Sequence, residues 1–135
     1  MTTQTSTPAS RTVLVLGAGG RFGRAAVAAF SDAGWHVRAF VRPNRPAPSA
    51  SGVDAIEGDA FDATPVIEAA RGAEIIVHAL NPPYPRWRQD LPRHTESVLA
   101  AARATGATVM IPGNVYNYGS DMPAILSEET PHHPS

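Results

Sequence analysis

The chain contains no cysteine, which excludes a disulfide framework, thiolate catalysis and cysteine-ligated zinc, and suits a reducing, cytoplasmic setting. It also lacks an excess of either charge: eleven basic residues stand against twelve acidic ones in 135 positions. No basic field therefore marks it for nucleic acid or for an anionic membrane surface, and a small-molecule partner is favoured. No apolar run approaches the roughly eighteen residues needed to span a bilayer. The opening MTTQTSTPAS lacks the basic start and apolar stretch of a secretion signal, so residues 1–11 read as a disordered lead-in.

What is present is an ordinary globular balance, 43% hydrophobic and 17% charged, enough for one domain over residues 12–135. Thr12 to Leu16 is a continuous β-branched and leucine run, as expected of a strand buried on both faces. A helix is expected from Phe22 to Ala33, with an apolar stripe of Phe22, Val27 and Phe30 and a stop at Gly34. Trp35–Val41 reads as a second strand, residues 43–52 as a proline- and serine-rich loop, and Val53–Glu57 as a third strand. Asp62 is placed to cap a helix over Ala63–Arg71, with Pro65 in its first turn and Gly72 closing it. Ala73–Leu80 reads as a fourth strand.

The four prolines of residues 81–92 predict an irregular loop, followed by a helix marked by Val98, Leu99 and Ala102 and ended by Gly106. Ala107–Ile111 is the fifth strand, and the chain is loop-like from Pro112 onward. Strands alternating with single helices give right-handed crossovers. The expected fold is thus α/β: a Rossmann-type, doubly wound parallel sheet in the order 3-2-1-4-5, helices on both faces, with the sequence stopping before a sixth strand.

Between the first strand and the first helix lies GAGGRFG, with four glycines in seven positions. Glycine costs an element interior roughly 0.5–1 kcal/mol relative to alanine, so the cluster needs a reason. Unpaired N–H groups and the positive end of the helix dipole meet at that junction, and a pyrophosphate suits them. The spacing is G-x-x-G-x-x-G at Gly17, Gly20 and Gly23, with Gly19 as an extra; Phe22 breaks the commoner G-x-G-x-x-G. No Gly-Lys-Ser/Thr triplet supports a nucleotide-hydrolase loop, and no acid closes the second strand as a flavin unit would want. A dinucleotide is the favoured ligand, with a purely structural turn as the competing account. Gly17, Gly19, Gly20, Arg21, Phe22 and Gly23 are its candidate binding residues.

An acid about twenty positions past the loop would grip the ribose hydroxyls of NAD. This chain has Arg42 there, with Arg38 in the same strand. A guanidinium pairs with a 2′-phosphate, which favours NADP over NAD unless Arg42 is only a solvated loop residue. Arg21 and Arg24 are also within reach of phosphates, although Arg24 also suits the wet face of the helix.

Taken with Asp59-Ala60 after the third strand, VHAL in the fourth and VYNYG after the fifth, GAGGRFG resembles the extended and atypical short-chain dehydrogenase/reductases of the NAD-dependent epimerase/dehydratase type. The resemblance implies that Gly17, Gly20 and Gly23 line the pyrophosphate, and that Asp59 accepts from the adenine amino group with Ala60 alongside. Ala79 and Leu80 would pass the nicotinamide-side ribose, while His78 reads as a packed core residue. Asp59 also suits a plain turn in EGDAFD. Active family members carry a serine five residues before the glycine of their V-Y-G motif, and that position, counted back from Gly119, is Asn114 here. The family's Tyr-x-x-x-Lys pair is absent, so the chain resembles the front, cofactor-binding half of a longer protein. Neither Tyr116 nor Tyr118 is the family's catalytic phenol.

Two functions follow as expectations: the NAD(P)-binding part of an oxidoreductase or epimerase/dehydratase-like protein acting by hydride transfer on a carbonyl or carbinol substrate, or a non-catalytic NADP-binding redox sensor. No metal is expected, because the adjacent His132 and His133 lack a suitably spaced third ligand. The loop NPPYPRWRQDLP suits either a substrate lid or a surface loop packed by its own aromatics. An apolar fifth strand at the sheet edge implies homo-oligomerisation.

Overall fold

The first strand decides the architecture. In a computed structural model describing residues 11–133, Val13 to Leu16 of β1 (Thr12–Leu16) are fully buried. Each such side chain contributes about 1.5–3 kcal/mol, and only a central strand covered on both faces can collect that from four in a row. The chain continues as α1 (Arg21–Asp32), β2 (His36–Val41), β3 (Val53–Glu57), α2 (Ala63–Ala70), β4 (Ile75–His78), α3 (Trp87–Thr105) and β5 (Thr108–Met110). Single 3-10 turns lie at Tyr84–Arg86 and Tyr116–Tyr118.

The sheet is open and parallel throughout, in the order β3-β2-β1-β4-β5. Alternate residues of the central strands face opposite layers. Leu14, Leu16, Phe40 and Ile76 pack against Val66, Ala69 and Ala70 of α2 and Val98 and Ala101 of α3. Val13, Val15, Val37, Ala39, Val41 and Val77 pack with Ala26 and Val27 of α1. Leu16 is in register with Phe40 and with His78, so the carboxyl ends of β1, β2 and β4 form one level edge. At β1 the connections turn from one side of the sheet to the other, and a crevice opens outside the strand ends there.

Several expectations are corrected. Phe22 does not belong to the buried stripe of α1: it is exposed, and Gly23, Ala26 and Val27 form the buried face. Residues 87–92 are not irregular. They are the start of α3, with Pro92 inside the helix. Proline there removes one intrahelical bond, a loss offset by burial of Val98 and Ala101 in the core, on the same inner face as Asp90, His94 and Ser97. Leu99 lies on the outer face and is exposed. The strands around the edges are shorter than their apolar runs, because backbone pairing stops before the hydrophobic residues do.

Arg11 is no part of a loose tail. Its guanidinium meets Glu74 at 2.8 Å and lies 4.4 Å from the centre of the Trp35 ring, while its carbonyl accepts from the His36 N–H. The remaining lead-in, residues 1–10, and positions 134–135 lie outside the described residues. The Asp62 cap stands as expected, its carboxylate accepting from the Thr64 N–H at 3.1 Å.

Candidate nucleotide site

The turn leaving β1 must reverse within a few residues and deliver α1 back onto the sheet. Gly17 does this with φ of +76°, and a Cβ there would stand 2.5 Å from the Ala79 carbonyl oxygen. At Gly23 a Cβ would collide with the Gly17 backbone. These two glycines are thus demanded by the protein's own packing. Gly19 and Gly20 are not: a Cβ at Gly19 meets only the Pro46 carbonyl oxygen at 3.8 Å, and one at Gly20 makes ordinary contact at 3.5 Å. Both are exposed, and neither has a positive φ.

The amino end of α1 opens beside them. Gly20 is its cap residue and offers no side chain to the first-turn N–H groups, and no acidic residue occupies that turn. The helix dipole is therefore uncompensated where the loop is barest. Arg21 and Phe22 are exposed at this end. Arg24 is committed elsewhere: its Nε donates to the Gly19 carbonyl at 3.1 Å and ties the loop to the helix rather than reaching outward. Arg38 faces away from the loop: its guanidinium donates to the Ala69 and Arg71 carbonyls and closes the end of α2.

Arg42, directly after β2, is exposed and makes no side-chain hydrogen bond among the described residues. Its carbonyl accepts from the Arg45 N–H in a turn through Asn44, whose φ is +64°. Asp59 lies past the end of β3. One carboxylate oxygen accepts from the Phe61 N–H at 2.9 Å, so it is a turn residue, and the other oxygen is uncommitted. Ala60 is buried behind it. Ala79, whose N–H donates to the Leu16 carbonyl, and Leu80 are half-buried beside Gly17.

This combination of strand, bare turn and uncapped helix recurs in known proteins. Residues 17–131 match a family described as NAD(P)H-binding. The chain belongs to that family. Solved structures share its architecture: a Rossmann-fold NAD(P)-binding family protein from Shigella flexneri (25% identity, 73% of this chain and 49% of that one, TM-score 0.62) is one. A short-chain dehydrogenase/reductase superfamily protein from Agrobacterium tumefaciens with bound NAD is another (26% identity, 93% and 40%, TM-score 0.66). Uronate dehydrogenase from Agrobacterium tumefaciens (22% identity, 93% and 49%, TM-score 0.72) shares the fold. This NAD(P)H-binding chain thus spans less than half the length of each. No curated protein matches it.

Further along the same edge of this NAD(P)H-binding domain, Asn114 follows β5. Its Oδ1 accepts from the Tyr116 N–H at 2.9 Å, and its amide NH₂ makes no hydrogen bond among the described residues. It lines a cleft of about 490 Å³ with Gly113, Val115, Tyr118, Leu126, Ser127 and Glu128. The proline-rich loop contributes aromatics: Trp87 donates its indole N–H to the Pro82 carbonyl and lies 4.9 Å from Tyr84 and 6.1 Å from Tyr116, centre to centre. Tyr84 and Tyr116 stay largely exposed.

One group of polar residues was not anticipated. Arg86 pairs with the buried Asp90 at 2.7 Å and holds its carboxyl below the usual range, and one turn on, His94 is buried. His78 is buried too, its Nδ1 accepting from the Leu80 N–H, and burial lowers the pKa of both imidazoles. The spacing of Arg86, Asp90, His94 and Ser97 is helical, a signal that Pro92 masks. Among the described residues no cluster of three or more such groups suits a metal ion, and no helix is long and apolar enough to cross a membrane.

Proposed function

We propose that the chain is the cofactor-binding part of an NADP-preferring oxidoreductase or epimerase/dehydratase-like protein. The observation that carries this is the division among four glycines: Gly17 and Gly23 answer to packing, whereas Gly19 and Gly20 answer to nothing within the protein. A diphosphate seated on the uncapped end of α1 supplies the missing reason, since a side chain at either position would hold it away from the amides.

Around it, Arg42 is the free guanidinium for a 2′-phosphate, and the second oxygen of Asp59 is the acceptor for the adenine amino group. Ala79 and Leu80 give the nicotinamide-side ribose a smooth wall. Bound nicotinamide supplies or accepts a hydride; the protein binds and orients. Asn114 keeps its amide NH₂ as a donor that would polarise a substrate carbonyl, but an amide does not serve as the general acid that protonates it. The chain contains no lysine, and thus no Tyr-x-x-x-Lys pair. A second reading, a redox-cofactor module without turnover of its own, rests on Asn114 standing where active family members carry a serine. The lack of cysteine supports a cytoplasmic setting.

Titration of the chain with NADPH and with NADH tests the reading. Tighter NADPH binding, with the preference lost in Arg42→Ala, is expected. Equal affinities, or a preference that survives the substitution, overturn the assignment of NADP. NADPH oxidation by the chain with any of a panel of carbonyl compounds would overturn the second reading.

A further inference from the structure

The turn proposed for adenine is held from below by a histidine. Asp59 to Asp62 forms a tight turn past β3, fixed by the Phe61 N–H to the Asp59 carboxylate and by the Asp62 N–H to the Asp59 carbonyl. From α3, the His94 ring stacks on Phe61 at 4.1 Å between centres and 11° between planes. The Arg93 guanidinium lies 4.2 Å from the centre of the same phenyl ring. The turn therefore has no freedom to tilt without sliding its aromatic side chain off α3.

The choice of residue is the unexplained part. His94 is 8% exposed, yet its Nδ1 is buried with no hydrogen-bond partner. Buried polar atoms are nearly always satisfied; the backbone of Ala60, in the same turn, is the one hydrogen-bonding partner that acts on the ring, and it leaves Nδ1 unpaired. The ring also sits among charges from three directions. Asp59 faces it from the turn and Asp90 and Arg93 from its own helix, while His78, at the end of β4, is close enough for the two imidazoles to repel each other's protonation. His94 is thus placed between the adenine side and the nicotinamide side of the crevice.

We propose that His94 is a positioning residue: stacked on Phe61 and uncharged, it fixes the Asp59 carboxylate for the adenine amino group, and protonation of its buried nitrogen releases that turn. This rests on the nucleotide reading above. On gaining a proton the ring needs a second acceptor that the packing does not supply, so the cation is accommodated by movement, and Phe61 is what it moves.

ADP-ribose is the probe, because it carries the adenine and the diphosphate with no group titrating between about pH 5.5 and about pH 8. Nicotinamide mononucleotide serves as the half that never reaches Asp59. The full chain, His94→Ala and His94→Phe are compared by calorimetry and ligand-observed NMR. His94→Ala should weaken ADP-ribose about tenfold and leave nicotinamide mononucleotide unchanged, while His94→Phe retains both. Wild-type affinity for ADP-ribose should fall several-fold from about pH 8 to about pH 5.5 relative to His94→Phe, in which the titrating ring is gone and His78 remains. Equal weakening of both ligands in His94→Ala, no weakening, a Phe variant as poor as the Ala one, or parallel pH profiles would each overturn the proposal. A wild-type chain that binds neither ligand removes the nucleotide reading, and this inference with it.

Discussion

Alanine at each of two glycines in the same loop should have opposite consequences. At Gly17 the backbone is left-handed, a conformation that costs an L-residue roughly 1–2 kcal/mol, and the new Cβ would lie 2.5 Å from the Ala79 carbonyl oxygen, part of the rigid end of β4. An ordinary contact needs nearly an ångström more, so strand or turn must shift, and the sum comes to about 3 kcal/mol by comparison with other strained or overpacked sites. Gly19 offers open space and a negative φ, so alanine there restricts only the unfolded chain and stabilises by about 0.4–1 kcal/mol. With a urea slope of about 2 kcal/mol/M, Gly17→Ala lowers the unfolding midpoint by about 1.5 M, while Gly19→Ala leaves it equal or slightly raised. NADPH binding should nevertheless weaken at least tenfold in Gly19→Ala, because its methyl group stands where the diphosphate approaches. A Gly17 variant as stable as wild type would refute the packing account. Undiminished NADPH binding in Gly19→Ala would reduce the loop to a structural turn.

Other perturbations read other parts of the molecule. Burial lowers the pKa of His78 and His94, so the unfolded chain binds more protons below its own histidine value of about 6.5. Stability is then complete above about pH 6.5 and declines as pH falls, by at most about 1.4 kcal/mol per pH unit for each histidine. A urea midpoint that holds or rises from about pH 7.5 to about pH 5.5 contradicts this. Arg38→Met removes the guanidinium from the last carbonyls of α2 and should cost about 1–2 kcal/mol in thermal or urea unfolding, with NADPH affinity unchanged. Pro92→Ala restores the missing N–H inside α3 and should stabilise by about 1–3 kcal/mol; a destabilised variant would mean the proline is needed for the helix's entry angle. Met110, 46% exposed on the edge strand β5, should drive self-association that Met110→Glu abolishes in sedimentation, and a wild-type monomer at high concentration defeats it.

The order of the strands, the buried run of β1, the Asp62 cap and the glycine turn were legible because each is written in neighbouring residues. Side chains that act across the sheet were not. Arg38 and Arg42 share a strand in the sequence, yet only across the sheet do they part: Arg38 reaches the carbonyls at the end of α2, while Arg42 lies beyond the last paired residue. Phe22 looked like core on helical periodicity, which gives the angle between residues but not where the wheel begins. That phase is fixed by Gly23, which must face Gly17 for the helix to approach at all.

The same reasoning explains why the most consequential misjudgement fell on residues 87–92. Local rules assign prolines and aromatics to a loop, and a proline six residues into a helix costs about 3 kcal/mol. The polar residues of the helix's inner face, Asp90, His94 and Ser97, look unsuited to burial one at a time, because what they pack against is far away in sequence, as Phe61 is for His94. A helix that retains a costly proline, a buried carboxylate paired with an exposed arginine, and an unsatisfied imidazole is not minimising its own free energy. On the reading proposed above, what it gains is a fixed turn after β3, against which His94 and Arg93 pack through Phe61.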